Sequence, residues 1–256
     1  MRHMNGDVRA GAQAEQRRRE RLWAATAGCL LPFGLLLALV VARWRPLQDV
    51  DSRWVLRLHS TAVHRAGWAA SMRTVADIGS PTVLRVLLAV VIVWLWLRGA
   101  RVTALWATVL VAVEALLEVV VKELVGRPRP LLPQPVAQAT GWSFPSGHAM
   151  TVATLCPLLV LLVWPHAERW GRVAAVVAST AMVLAVSWTR IGLGVHWPSD
   201  VLGGWLLAGV VLFGVAASFE SLRPGLRAQD LGRLRLRSSL RVQSATAPDP
   251  ASPPPE

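Results

Sequence analysis

The chain has 256 residues, of which 54% are hydrophobic, and its mean hydropathy is +0.44. Its formal net charge is +12 at pH 7. The grouping of the apolar residues into long blocks argues against a soluble all-helical domain.

The apolar residues fall in six blocks of about 16–20 residues, near the length that a helix needs to cross a bilayer. The blocks are 24–42, 82–97, 102–121, 149–164, 173–189 and 199–218. Ser80-Pro81 is typical of a helix start, and Gly126 before Pro128 is typical of a helix end. Several of the 13 Trp residues lie near block ends, where the membrane interface favours them. The sequence therefore predicts an all-α integral membrane protein, with six transmembrane helices in a bundle.

Positive charge follows the loops on one side of the membrane, which argues against a nucleic acid partner. Of the 27 Lys and Arg residues, 16 precede the first span, follow the sixth, or lie in the loops after the second and fourth. This positive-inside pattern predicts that both termini are cytoplasmic and that the protein resides in the cell membrane. Six arginines in segment 43–80, which would lie outside, weaken the pattern.

Composition divides the chain into three regions. Residues 1–21 are polar and basic, and we expect 1–16 to be loosely structured. Residues 22–218 form the predicted six-span membrane domain. Residues 219–256 are basic and then Pro-rich, which predicts a disordered cytoplasmic tail. The sequence does not indicate an oligomeric state.

Segment 52–76 has helical periodicity without the length of a separate span. Trp54, Val55, Leu58 and Ala62 recur at helical spacing. This pattern predicts an amphipathic helix on the outer surface, for which a simple connector is the alternative.

Three polar clusters lie where spans three to six reach the outer face. They are Lys122 followed by GRPRP (126–130), SFPSGH (143–148) and TRIGLGVHWPSD (189–200). Membrane insertion does not require this coincidence, so the clustering indicates a shared function.

The clusters contain the parts of a phosphate site. Lys122, Arg129 and Arg190 are cationic donors, and arginine can hold a phosphate through two parallel hydrogen bonds. Ser146 and Gly147 stand where span four starts, and a helix N-terminus offers free N–H groups to an anion.

The same clusters contain two histidines and an acid. Of His148 and His196, one can attack phosphorus while the other donates a proton. Asp200 follows His196 by four residues, so it can orient that imidazole as the acid of a catalytic triad does. Arg127 is interpreted as a side chain that reaches to the interface, outside the site.

These residues resemble the signature of the type 2 phosphatidic acid phosphatase superfamily, which also includes bacterial acid phosphatases and vanadium haloperoxidases. The signature has three parts, K-x6-R-P, P-S-G-H and S-R-x5-H-x3-D. They read here as Lys122…Arg129-Pro130, Pro145-Ser146-Gly147-His148 and Arg190…His196…Asp200. Order and spacing match, and the one departure is Thr189 where the family usually has Ser.

The resemblance implies a lipid phosphatase with its active site on the extracytoplasmic face and without a metal or other cofactor. His196 would attack phosphorus and form a phosphohistidine, and His148 would protonate the leaving oxygen. Lys122, Arg129, Arg190, Ser146 and Gly147 would hold the phosphoryl oxygens. Candidate substrates are a polyprenyl diphosphate, phosphatidic acid and phosphatidylglycerophosphate.

Two other function classes stay open at this stage. A vanadate-dependent haloperoxidase-like enzyme would share the phosphate cradle, although such relatives are typically soluble. A non-catalytic membrane binding or transport protein would not need His148, His196 and Asp200.

Two carboxylates lie inside the third span. Glu114, Glu118 and Lys122 are spaced in fours, so they share one helix face. Intramembrane carboxylates are costly and usually face the bundle interior. Glu118 is therefore predicted to pair with Lys122 and to orient it; a structural pairing with another span is the alternative.

Overall fold

A computed structural model describes residues 2–165, 167–222, 224 and 230 of the chain. Regular structure in these residues is entirely helical. The helices are α1 (Arg2–Val41), α2 (Arg45–His64), α3 (Ala66–Ile78), α4 (Pro81–Leu97), α5 (Arg101–Val125), α6 (Gly147–Val163), α7 (Arg169–Gly192) and α8 (Pro198–Leu222).

The predicted bundle of six membrane-spanning helices is confirmed. Helix α1, the α3–α4 stretch, α5, α7 and α8 are each long and apolar enough to cross a membrane. Helix α6 is apolar and shorter, at 17 residues, which is close to the minimum for a span. Each predicted block coincides with part of one of α1, α4, α5, α6, α7 and α8, to within one residue at its end. The chain is therefore a multi-pass membrane protein.

The predicted helix boundaries follow from capping. Ser80 is the N-cap of α4, and its side chain accepts a hydrogen bond from the Val83 N–H at 3.4 Å. Gly126 ends α5 in the left-handed region, with φ of 57°, a conformation that glycine adopts at little cost. This cap turns the chain into the loop that carries Arg127 and Arg129.

Helix α6 lies at the centre of the bundle, with most of its residues buried and with α7 and α8 packed against it. Helix α1 packs along the other side of α8. A Cβ on Gly204 would come within 2.9 Å of the Ser146 carbonyl oxygen and 3.0 Å of the Met150 nitrogen. Glycine therefore allows α8 to lie directly on the first turn of α6.

The amphipathic segment is two helices, α2 and α3, and its buried face differs from the predicted one. Val55 and Ala62 are buried as predicted, but Trp54 is 47% exposed. The buried positions beside them are Asp51 and His59. Both side chains form hydrogen bonds to residues outside α2. These polar contacts, more than the apolar periodicity, determine which face of α2 is buried.

The two ends of the chain also differ from expectation. Helix α1 begins at Arg2, so the segment predicted to be loose continues the first span as a helix; its Ala, Gln, Glu and Arg residues favour that state. Helix α8 ends at Leu222, beyond the predicted boundary. Within the predicted tail, Asp230 accepts hydrogen bonds from the Val102 and Thr103 N–H groups at 3.0 and 3.1 Å. Apart from Pro224 and Asp230, the tail beyond Leu222 lies outside the described residues.

Candidate active site

The predicted site residues meet on one side of the bundle. Lys122 and Arg190 lie in the last turns of α5 and α7, while His148 and Asp200 lie in the first turns of α6 and α8. His148 is close enough to Arg190, His196 and Lys122 to interact electrostatically with each. The alternation of span direction thus brings residues from four helix ends into one site.

His196 lies in the loop between α7 and α8 and is 2% exposed. Its Nε2 is 2.9 Å from Arg129 Nη1. Because a guanidinium group only donates, Nε2 is the acceptor and carries the lone pair. The proton is then on Nδ1, which faces Asp200 Oδ2 at 3.4 Å. This tautomer leaves Nε2 as the nucleophilic atom of the ring.

The Asp200 carboxylate is fully buried and is held by several donors. Oδ2 accepts from the Trp197 N–H at 2.8 Å and from Ser143 Oγ at 2.5 Å. Oδ1 accepts from Arg127 Nη1 at 2.6 Å. These contacts satisfy the charged form of the carboxylate and fix its position beside His196.

The charge state of His196 suits a nucleophile. Burial lowers its pKa from 6.5 to about 4, Asp200 opposes this effect, and the Arg129 and Arg190 guanidinium groups add to it. At pH 7 the imidazole is therefore neutral, and the lone pair on Nε2 is not taken by a proton.

Arg129 is fixed by carbonyl groups of the chain. Its Nε donates to the Gly141 oxygen, and its Nη2 donates to the Thr140 and Trp142 oxygens, at 3.0 to 3.2 Å. Nη1 donates to the Val195 oxygen at 2.8 Å as well as to His196. The guanidinium group is thus rigidly placed, with its positive charge next to the imidazole.

Two donors at the site have no partner among the described residues. Ser146 is fully buried, and its Oγ makes no hydrogen bond. Arg190 is 7% exposed, and its Nε makes none. Buried polar groups are almost always paired, so these two donors are suited to an anionic ligand.

Lys122 forms an ion pair with a carboxylate one turn earlier in the membrane-spanning helix α5. Its Nζ lies 2.6 Å from Glu118 Oε1, which confirms the predicted pairing. The Glu118 carboxylate lies against Gly147, where a Cβ would overlap Oε1 and would come within 3.2 Å of Lys122 Nζ. The absence of a side chain at Gly147 therefore lets this ion pair approach the start of α6.

The interpretation of Arg127 as a side chain that only reaches to the interface is wrong. Its side chain is 12% exposed and bridges two buried carboxylates, Asp200 at 2.6 Å and Asp51 at 2.7 Å. The left-handed cap at Gly126 turns the chain back over the end of α5. This turn was the sequence signal that could have placed Arg127 near the site. Asp51 had a signal too, because it occupies the same helix face as Val55. Ser143 had a signal as well, since it is the first residue of the SFPSGH cluster.

Comparison with known proteins shows similarity to one family over the region that carries the site. Residues 103–223 match the family model described as PAP2 superfamily. The chain also resembles a solved structure, the transmembrane PAP2-type phosphatidylglycerolphosphate phosphatase from Bacillus subtilis. The TM-score is 0.69 at 22% identity, over 77% of this chain and 97% of that one. The region that carries the site is therefore similar to the PAP2 superfamily, and the membrane fold is similar to that of the solved Bacillus subtilis structure.

Curated relatives match in sequence over part of their length. An undecaprenyl-diphosphatase of Sulfolobus acidocaldarius is 35% identical over 33% of this chain and 37% of its own. Phosphatidylglycerophosphatase B of Bacillus subtilis is 36% identical over 42% of this chain and 53% of its own. A putative undecaprenyl-diphosphatase of Escherichia coli is 34% identical over 47% of this chain and 59% of its own. The chain thus spans about a third to three-fifths of the length of these relatives.

Proposed function

We propose that this protein is a lipid phosphatase that hydrolyses a phosphate monoester or diphosphate of a membrane lipid through a phosphohistidine at His196. The observation that carries the proposal is a neutral, buried imidazole whose Nε2 faces a cluster of cationic groups. The free donors of Ser146 and Arg190 complete a site for phosphoryl oxygens. The relatives' names support the same reaction class.

In the proposed first step, His196 Nε2 attacks phosphorus and the bond to the leaving oxygen breaks. His148, held in its protonated form by the negative charge of the bound phosphoryl group, gives its proton to that oxygen. Asp200 compensates the positive charge that develops on the His196 ring, and the cationic cradle stabilises the negative charge of the phosphoryl group. Such preorganised donors are each worth on the order of 100-fold or more in rate.

In the proposed second step, water replaces the histidine. His148, now neutral, takes a proton from the attacking water while the phosphorus–nitrogen bond breaks. Orthophosphate leaves, and His196 returns to its neutral state. No metal or other cofactor takes part in this scheme, because cationic side chains and helix N–H groups supply the positive charge.

A membrane lipid is the proposed substrate because the cradle is formed by the ends of spanning helices. A phosphorylated headgroup at the interface can enter it while the acyl or prenyl chain stays in the bilayer. The positive-inside pattern supports an extracytoplasmic site, and the relatives suggest a polyprenyl diphosphate or phosphatidylglycerophosphate.

Phosphate release from a panel of lipids tests the proposal. The panel holds a polyprenyl diphosphate, phosphatidic acid and phosphatidylglycerophosphate, presented to purified protein in detergent. We expect turnover of at least one of them. No turnover on the panel by folded protein would contradict the proposed lipid phosphatase.

The protonation state of His196 gives a second expected result. Because its folded pKa is about 4, its ring should stay neutral from pH 8 down to about 5, whereas an exposed histidine would titrate near 6.5. The measurement is the ring 15N NMR shifts of the free protein in detergent, assigned by their loss in His196→Asn. A midpoint near 6.5 would contradict the assigned environment.

Loss of Arg127 should affect both stability and turnover. Arg127→Met leaves Asp51 and Asp200 buried without their shared cation, and breaking such a pair costs about 3–5 kcal/mol. We expect a lower free energy of unfolding in detergent and slower phosphate release, because Asp200 loses its fixed position. Arg65→Met, at the exposed junction of α2 and α3, is the matched control. Equal behaviour of the two variants would show that Arg127 does not support Asp200.

A further inference from the structure

An arginine inside the membrane-spanning part of α4 contacts both carboxylates of α5. Arg85 Nη2 lies 3.0 Å from Glu114 Oε2 and 2.8 Å from Glu118 Oε2. It also lies 3.5 Å from Thr151 Oγ1 of α6. A charged side chain at this depth is costly and is kept where it has a partner or a function.

The two carboxylates bind different partners. Glu114 is fully buried and accepts from Arg85 and from Thr151 Oγ1, the latter at 2.8 Å. Glu118 divides its oxygens, with Oε2 bound by Arg85 and Oε1 bound by Lys122. Two cations and two anions thus form one continuous network from α4 through α5 to the candidate active site.

We propose that Arg85 is a positioning residue for phosphate binding and that it acts through Glu118 on Lys122. This inference rests on the proposed function, since it assigns Lys122 to the phosphoryl group. Arg85 holds Oε2, so that only Oε1 is turned toward Lys122 and Gly147. The lysine is thereby fixed by one oxygen at the edge of the cradle.

The loss of the contact between Arg85 and Glu118 Oε2 gives the direction of the effect. Glu114 and Glu118 lie one helical turn apart on α5. Without Arg85, Lys122 is the one cation left in this network. Both oxygens of Glu118 can then bind the Lys122 ammonium group. Glu118 therefore competes with an anionic ligand for that group. Loss of Arg85 should therefore weaken phosphate binding more than it changes the chemical step.

The test compares Arg85→Met and Arg85→Lys with wild type, each also in a Lys122→Ala background. Orthophosphate serves as the probe, and its inhibition constant is measured by following a labelled lipid product by chromatography. Arg98→Met, at the exposed C-cap of α4, is the matched control. A double variant, Arg85→Gln with Glu114→Gln, keeps the network electrically balanced if Arg85→Met does not fold.

We expect Arg85→Met to raise the orthophosphate inhibition constant and KM by about 10-fold, since an effect of about this size is usual for coupling between residues in one salt-bridge network. Arg85→Lys should restore most of the affinity, and the balanced double variant should bind as weakly as Arg85→Met. In the Lys122→Ala background, the Arg85 substitution should have no further effect on the inhibition constant.

Two results would overturn the assignment. One is an inhibition constant for Arg85→Met equal to that of Arg98→Met. The other is an equal loss in the Lys122→Ala background, which would make Arg85 purely structural. In either case an active wild type would leave the proposed function standing. A wild type that neither turns over lipid nor binds orthophosphate would instead contradict the proposed function.

Discussion

Replacing His196 with asparagine is expected to lower kcat by a factor on the order of 10⁴ or more, because the chemical step loses its nucleophile. The amide keeps a polar group of similar reach, so the neighbouring contacts of Asp200 with Trp197, Ser143 and Arg127 should persist. The measurement is kcat for release of orthophosphate from the preferred lipid, together with thermal unfolding in detergent.

A histidine outside the site is the control for this substitution. His64 is exposed at the end of α2, and its ring forms a hydrogen bond with the Ser60 carbonyl oxygen one turn earlier in the same helix. His64→Asn should leave kcat near that of wild type. Turnover of a folded His196→Asn protein at the rate of His64→Asn would place the nucleophile elsewhere.

Replacing Gly147 with alanine is the second substitution with a large expected effect. The added Cβ would overlap Glu118 Oε1 and crowd Lys122 Nζ. Because both groups are held in the Arg85 network, they cannot move without losing contacts. We expect a loss of about 100-fold in kcat/KM from the displaced cradle and a destabilisation of about 1–3 kcal/mol from overpacking.

Gly34→Ala is the matched control, since a Cβ at that helical position of α1 meets nothing within 4 Å. It should leave activity unchanged and slightly stabilise the helix. The comparison is made by steady-state kinetics and by unfolding in detergent. A Gly147→Ala protein with wild-type kinetics would show that the Glu118–Lys122 pair does not shape the site.

The spans could be predicted because a bilayer imposes a simple rule, a long apolar run with polar breaks. The ends at Ser80 and Gly126 followed from capping chemistry in the same way. The buried face of α2 could not be predicted, since Asp51 is held by Arg127 and Ser199, residues far away in sequence. Local periodicity contains no information about such contacts.

The residues of the candidate site also divide into those that local sequence predicts and those that depend on distant contacts. Its principal residues were predictable because they occur in short motifs at helix ends. The roles of the supporting residues were not, since Ser143 and Arg127, although they lie in the same polar clusters, act through contacts with Asp200 that depend on the fold. Arg85 had a signal, a single charge within an apolar span, but its partners became apparent only when α4 was placed against α5.

Direct detection of a phosphorylated His196 tests the central claim most directly. Protein in excess chelator is mixed with the preferred lipid phosphate, quenched in alkali within milliseconds to seconds, and digested for mass spectrometry. The proposed mechanism predicts a phosphate on the peptide that contains His196, stable in alkali, labile in acid and absent from His196→Asn. Rapid turnover with no phosphopeptide at any time, or with the label on another residue, would contradict the phosphohistidine mechanism.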